Sequence, residues 1–218
     1  MNKKTNKLLI VGDSYSTFEG YIPEGYAVYY STKPRPETDV TRVEETWWYP
    51  LCEEMKLELV RNDSWSGSPV SYMGWSDSDC SMSSSFIYRV EKLAQDGFFR
   101  DNEIDTVLVF GCTNDSWIGT PFGEVKFSGF KRKDFYSVCP SVCYLVAKLK
   151  ELLPEANIVF MMNTGLKDEI SDAIREASKH YGTYCLELED IDKRSGHPTI
   201  KGMKSIKEQV KKFLNENI

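Results

Sequence analysis

A three-layer α/β sandwich, helices on both faces of a parallel sheet, is the fold class this chain predicts, and three observations predict it. Five short apolar runs of strand character recur along the sequence. Each is followed, after a gap, by a stretch with helical spacing, an alternation that parallel sheets with right-handed crossovers produce. The length of 218 residues suits one domain, 1–218, because a chain of this size buries roughly 70% of its surface without disulfide staples.

The runs fall at 8–11, 57–61, 106–110, 158–162 and 184–188. Continuous apolar stretches of four to six residues suit strands covered on both faces. Helices are predicted over 45–55, 86–95, 141–153, 167–180 and 200–215. In the second, Phe86, Val90 and Leu93 share a face, and in the fourth Ile170, Ala173, Ile174 and Ala177 do the same. Two stretches are too long for the connections of such a fold. Segment 17–44 carries Tyr21, Tyr26, Tyr29 and Tyr30, and 64–85 is crowded with serines around Trp65, Gly67 and Trp75. Loops of this length are functional or disordered. Their aromatic content predicts ordered loops at the carboxyl edge of the sheet, where open α/β sheets bind ligands.

Composition removes several classes of function. With 41% hydrophobic residues the chain is too apolar for disorder, and no apolar run approaches a membrane span. A formal charge of −6 argues against a nucleic-acid surface. Lys207, Lys211 and Lys212 read as one solvated helix face. The six cysteines, Cys52, Cys80, Cys112, Cys139, Cys143 and Cys185, are scattered without a CxxC pair and read as buried thiols. Asp77 and Asp79 lack the rest of a calcium loop and read as solvated. Basic residues in 1–7 precede an apolar stretch too short for a signal-peptide core, so a cytoplasmic protein is expected unless a signal has been removed. The sequence carries no sign of oligomeric state.

Only two histidines, His180 and His197, are available as a base with an ordinary pKa near neutrality. His180 ends a helix pattern before Tyr181-Gly182, where a basic side chain complements the exposed carbonyls. His197 lies in the loop Ser195-Gly196-His197-Pro198-Thr199 and is free to reach a site. The first strand ends in Gly12-Asp13-Ser14-Tyr15-Ser16, the second in Asn62-Asp63-Ser64-Trp65-Ser66-Gly67, and the third in Gly111-Cys112-Thr113-Asn114-Asp115. Gly67 can present a bare backbone N–H, and Asn114 a side-chain amide, to one point in space. Taken singly, each of these segments reads as a turn.

In order, and after successive strands, these segments resemble the blocks of the SGNH (GDSL-like) hydrolase family. Gly12-Asp13-Ser14-Tyr15-Ser16 is similar to the nucleophile block, Gly67 to the glycine block, Gly111-x-x-Asn114-Asp115 to the asparagine block and His197-Pro198 to the histidine block. The resemblance implies a flavodoxin-like sheet of five parallel strands and cofactor-independent hydrolysis of esters. It implies Ser14 as nucleophile, His197 as base, and the Ser14 and Gly67 N–H groups with the Asn114 amide as the oxyanion hole. One block departs from the pattern. The family's aspartate three residues before the histidine is replaced here by Arg194, which cannot accept the imidazole N–H. Asp192 is expected in its place, with Asp190, Glu189 or a backbone carbonyl as alternatives.

The expected substrate is a small-molecule or carbohydrate ester, with an acetylated carbohydrate favoured. Trp65 stands two residues before Gly67 and Trp117 three after Asn114, and flat rings offer faces to a sugar or an acyl chain. Trp47, Trp48 and Trp75 are expected in the core. A base with the ordinary imidazole pKa of about 6.5 predicts activity that falls as pH drops below it. Two rival readings share the fold: a flavodoxin-like protein holding flavin mononucleotide on Ser14, Ser16 and Thr17, and a carbohydrate-binding member without activity.

Overall fold

Successive residues of a strand face opposite sides of a sheet, and the apolar runs of this chain supply a core to each side. In the computed structural model, which describes residues 6–218, five parallel strands form one sheet. They are β1 (Lys7–Gly12), β2 (Glu58–Ser64), β3 (Thr106–Phe110), β4 (Asn157–Met162) and β5 (Tyr184–Glu187), in the order β2-β1-β3-β4-β5. Most of the basic N-terminal segment lies outside the described residues. Leu9, Val11, Val107, Val109, Ile158 and Phe160 point into one core with α2 (Phe86–Gln95), α5 (Val138–Leu152) and α6 (Asp168–Tyr181). Leu8, Ile10, Leu108, Phe110, Val159 and Met161 point into the other, with α1 (Trp48–Met55) and α7 (Ile200–Asn217). Fully burying one such side chain contributes about 1.5–3 kcal/mol. This is the three-layer sandwich the sequence predicts.

The strand order reverses direction at β1, and ligands of open α/β sheets bind at the carboxyl end of such a switch point. Register makes the point sharper. Gly12 pairs with Ser64 of β2 on one side and with Phe110 of β3 on the other, so the three segments singled out in the sequence leave the sheet at one level.

Two short helices follow turns that carried no helical period in the sequence: α3 (Phe98–Asp101) and α4 (Thr113–Ile118). Helix α1 begins later than the predicted start at 45, because Val43–Glu45 forms a separate 3-10 turn. Trp47 and Trp48 are buried as expected. Lys207 and Lys211 both pair with Glu54 of α1, so this basic run ties α7 to α1 instead of facing solvent alone. All six cysteines are free thiols. Among the described residues, no helix is long and apolar enough to cross a membrane.

One charged residue lies inside the layer of α2. Arg89 shares the helix face of Phe86 and Val90 and is 1% exposed. Its Nη1 donates to the backbone carbonyl of Asp63 and, at 2.6 Å, to its carboxylate. Nη2 donates to Gly12 O at 3.0 Å and to Ser68 Oγ at 3.3 Å, and Nε to Ser84 O at 2.9 Å. The guanidinium thus joins the ends of β1 and β2 to the loop after β2, with an acceptor for each of its five N–H groups. Removing one partner of a buried ion pair costs about 3–5 kcal/mol. Arg61 Nε still faces the Asp63 carboxylate at 2.9 Å, but five acceptors would lose the donors of Arg89. Arg89→Met should lower unfolding free energy in urea by about that much. A loss below about 1 kcal/mol would mean the pair carries little of the stability.

Candidate active site

Gly12 ends β1 where no side chain fits: a Cβ there would lie 2.5 Å from Ser64 Oγ. Asp13 then caps a 3-10 turn, Ser14–Ser16, by accepting from Tyr15 N. The turn lifts Ser14 off the sheet edge. Its backbone carbonyl is held by Thr17 Oγ1 at 3.0 Å, and the same hydroxyl accepts from Tyr29 N at 2.9 Å. The tyrosine-rich loop is thereby fastened to the turn that carries Ser14.

His197 arrives on a hairpin of two two-residue strands, β6 (Lys193–Arg194) and β7 (His197–Pro198). Ser195 and Gly196 join them with φ of 49° and 80°, the positive pair that two-residue hairpin turns of the primed type require. Glycine also leaves room for Trp117, whose ring would lie 3.1 Å from a Cβ at 196. Arg194 pairs with His197 across this hairpin. The hydroxyls of Tyr15 and Tyr30 donate to the carbonyls of Gly196 and Pro198, one on each side of the histidine.

His197 Nε2 lies 2.9 Å from Ser14 Oγ, and Nδ1 lies 3.2 Å from Ser195 O. A carbonyl oxygen only accepts, so Nδ1 carries the hydrogen and Nε2 is left to accept from the serine. Asp192 does not take the expected place beside the ring. Its carboxylate accepts from Thr199 Oγ1, the N-cap of α7, and the hairpin turn brings Ser195 O to Nδ1 instead. Glu189 and Asp190 line a cavity against α7 with Ser205 and Gln209. The backbone carbonyl named among the alternatives is what the ring meets.

Aromatic rings enclose the imidazole. Tyr29 stacks on it with centroids 3.5 Å apart, and Tyr15 and Trp117 lie at 5.4 and 5.6 Å. Arg35 lies over the ring of Tyr29. Burial holds the imidazole down at about 4; the Ser195 carbonyl opposes this, while the cations of Arg35 and Lys193 add to it. Lys193 Nζ donates to Asn163 Oδ1, Thr164 O and Thr164 Oγ1, and burial lowers its own pKa against the pull of Asp13. Burial pushes the Asp13 carboxyl up to about 7, against the Tyr15 N–H and the Arg89 charge.

Asn114, 2% exposed, opens α4 on the same edge. Its Nδ2 donates to Ser68 O at 3.0 Å, and its Oδ1 accepts from Trp75 Nε1 at 3.1 Å. Gly67, at φ 80°, turns its bare face to the same indole. Asp115 fixes the loop between them by accepting from Val70 N and Ser71 N at 2.7 and 3.1 Å, and burial raises its carboxyl. Trp75 is 48% exposed and Trp117 44%, so Trp75 is a surface ring here and not the core residue expected. Trp65, expected to offer a flat face, has Tyr26 tilted against it with ring centroids 4.2 Å apart. His180 lies in the last turn of α6, as its sequence position suggested, and its ring stacks on Phe127, a contact the sequence did not indicate.

The family model for GDSL-like lipase/acylhydrolase matches residues 6–214. A structure described as a GDSL-like lipase from Bacteroides ovatus ATCC 8483 superposes with a TM-score of 0.90 at 40% identity, covering 99% of this chain and 100% of that one. A second, from Bacteroides uniformis ATCC 8492, gives 0.88 at 43% identity, covering 96% and 95%. An acetyl xylan esterase from the rumen bacterium Butyrivibrio proteoclasticus shares the fold at 16% identity, with a TM-score of 0.63 and 99% of this chain on 64% of that one. A family two carbohydrate esterase from Clostridium thermocellum, in complex with cellohexaose, does so at 15% identity and 0.65, with 96% on 63%. None of the curated proteins compared matches this chain. The chain belongs to the GDSL-like lipase/acylhydrolase family and is a hydrolase of the esterase type. Family membership displaces the flavin-binding alternative.

Sequence reasoning missed Tyr29, Tyr30, Arg89 and Lys193 as residues of the site's surroundings. The aromatic crowding of 17–44 marked the loop, but no spacing rule tells which tyrosine meets His197. With its carboxylate on Thr199, Asp192→Ala should lower kcat less than about tenfold, whereas removing a triad acid lowers it by about 10⁴. Steady-state kinetics on an activated acetyl ester decides between the two.

Proposed function

We propose that this hydrolase removes a small acyl group, an acetyl in the first instance, from a carbohydrate, with Ser14 and His197 acting as a dyad. The observation that carries the reading is the 2.9 Å contact between Ser14 Oγ and the unprotonated Nε2 of His197. Ser14 Oγ attacks the acyl carbon while Nε2 takes its proton, and the carbonyl electron pair becomes an oxyanion. The N–H groups of Ser14 and Gly67 and the amide of Asn114 are the donors assigned to that charge. The bond to the sugar oxygen then breaks as Nε2–H returns the proton to it, leaving acyl-Ser14. Water, deprotonated by the same nitrogen, releases the free acid and restores the serine.

Two features favour a small acyl group on a sugar. The rings of Tyr15, Tyr29 and Trp117 crowd the imidazole, an arrangement that suits a small acyl group. The exposed rings of Trp75 and Trp117 offer flat apolar faces of the kind on which sugar rings stack. The carbohydrate esterases that share the fold fit the same class of substrate.

A fluorophosphonate probe should label Ser14, located by peptide mapping, and Ser14→Ala should abolish both labelling and hydrolysis of acetylated oligosaccharides. Full esterase activity in Ser14→Ala, or labelling elsewhere, refutes the nucleophile. Faster hydrolysis of long-chain esters than of acetylated sugars refutes the substrate class. Because the base works only when neutral and its ring is held at about 4, kcat/KM should stay level from about pH 8 to pH 5 and fall below that. A decline centred near 6.5 would mean that the ring keeps its ordinary basicity.

A further inference from the structure

The indole of Trp75 is hydrogen-bonded to one of the residues to which oxyanion binding is assigned above and faces the open side of another. Its Nε1 donates to Asn114 Oδ1 at 3.1 Å, and a Cβ built on Gly67 would lie 3.8 Å from that same nitrogen. A side-chain amide can sit either way round, and only its partners decide which end is oxygen. Here they decide without ambiguity. An indole N–H only donates, so the end facing Trp75 is Oδ1; the Ser68 carbonyl only accepts, so the end facing it, at 3.0 Å, is Nδ2. Turning the amide over would set donor against donor and acceptor against acceptor at a buried residue, which forfeits both bonds.

Resting on the oxyanion-hole reading, we propose that Trp75 is a positioning residue for catalysis. Its N–H locks the Asn114 amide so that one Nδ2 hydrogen serves Ser68 O and the second stays available to the oxyanion. Without that bond only the Ser68 carbonyl opposes the flip that presents an oxygen to developing negative charge, so the amide is held less firmly in its donating orientation.

The loop that carries Trp75 is built to hold the ring rather than to bury it. Met73 and Asp79 pair across its neck, Gly74 N donates to Ser78 O at 2.8 Å, and Ser78 N to Trp75 O at 3.2 Å. Ser76 and Asp77 adopt φ of 54° and 57°, a left-handed conformation that non-glycine residues adopt at some energetic expense. The result is a tryptophan left about half exposed, with its one polar atom aimed at Asn114.

The test is a double-mutant cycle on 4-nitrophenyl acetate, with rates expressed per fluorophosphonate-titrated serine so that misfolded protein does not count. Trp75→Phe keeps a flat ring and loses the N–H. It should lower kcat about tenfold with KM changed less than about twofold, the loss expected for one hydrogen bond. Asn114→Ala should lower kcat by about two to three decades, and the double variant should fall no further than Asn114→Ala alone. A boronic acid that forms a tetrahedral adduct should bind Trp75→Phe about tenfold more weakly as well. Unchanged kcat in Trp75→Phe beside a deficient Asn114→Ala overturns the positioning role and leaves the oxyanion hole standing. Losses that multiply in the double variant overturn it too, because Trp75 then acts apart from Asn114. Full activity in Asn114→Ala removes the oxyanion assignment itself, and the positioning role with it.

Discussion

Two phenol hydroxyls, bonded to the carbonyls on either side of His197, hold the hairpin on which the geometry of the site depends. Tyr15 is the residue after Ser14, so the anchor of the imidazole and the serine it faces belong to one 3-10 turn. Tyr30 comes from the long loop after that turn and reaches Pro198 O at 3.0 Å. Burial raises both phenols well above their usual range, so each stays protonated and keeps donating. The fixed backbone then supplies, through Ser195 O, the acceptor that a carboxylate supplies in a triad.

Replacing a carboxylate by a carbonyl changes what kind of base the ring can be. A carbonyl orients the tautomer but gives an imidazolium little of the attraction that a full negative charge provides. Enclosure by aromatic rings and the nearby cations of Arg35 and Lys193 push in the same direction. The ring is therefore a weaker proton acceptor and is uncharged at neutral pH. In the proposed dyad, pre-positioning of the serine within bonding distance would offset the lower basicity.

Buried charge plays the complementary part on the far side of Ser14. Arg89 draws Gly12 O, Asp63 and Ser68 together, and Asp115 gathers the N–H groups of Val70 and Ser71. Both bind the backbone at the beginning and end of the segment that presents Gly67 and Ser68. Loops bear the functional groups, and polar atoms of the segment after β2 are bonded to charged partners inside the protein. An apolar residue at 89 would pack as well against Phe86 and Val90 but would leave three segments untethered.

Local chemistry alone fixed much of this molecule. Apolar runs at strand length gave β1, β3 and β4 nearly to the residue, and the 86–95 helix was legible from Phe86, Val90 and Leu93, since burial on both sheet faces and on one helix face imposes those periods. Ser14, Gly67, Asn114 and His197 stood out because each follows a strand or precedes a helix, where chemistry gathers in this class of fold. Partnerships over long separations were not legible. Whether Asp192 met the ring depended on a two-residue hairpin turn that hands Ser195 O to Nδ1, and a chain read residue by residue does not disclose which way a carbonyl points. Trp75 looked like a core residue for the same reason, and nothing in the 86–95 pattern marked Arg89 as buried. A side chain's type sets what it can bond to, but only the packed fold decides which acceptor lies within 3 Å of it.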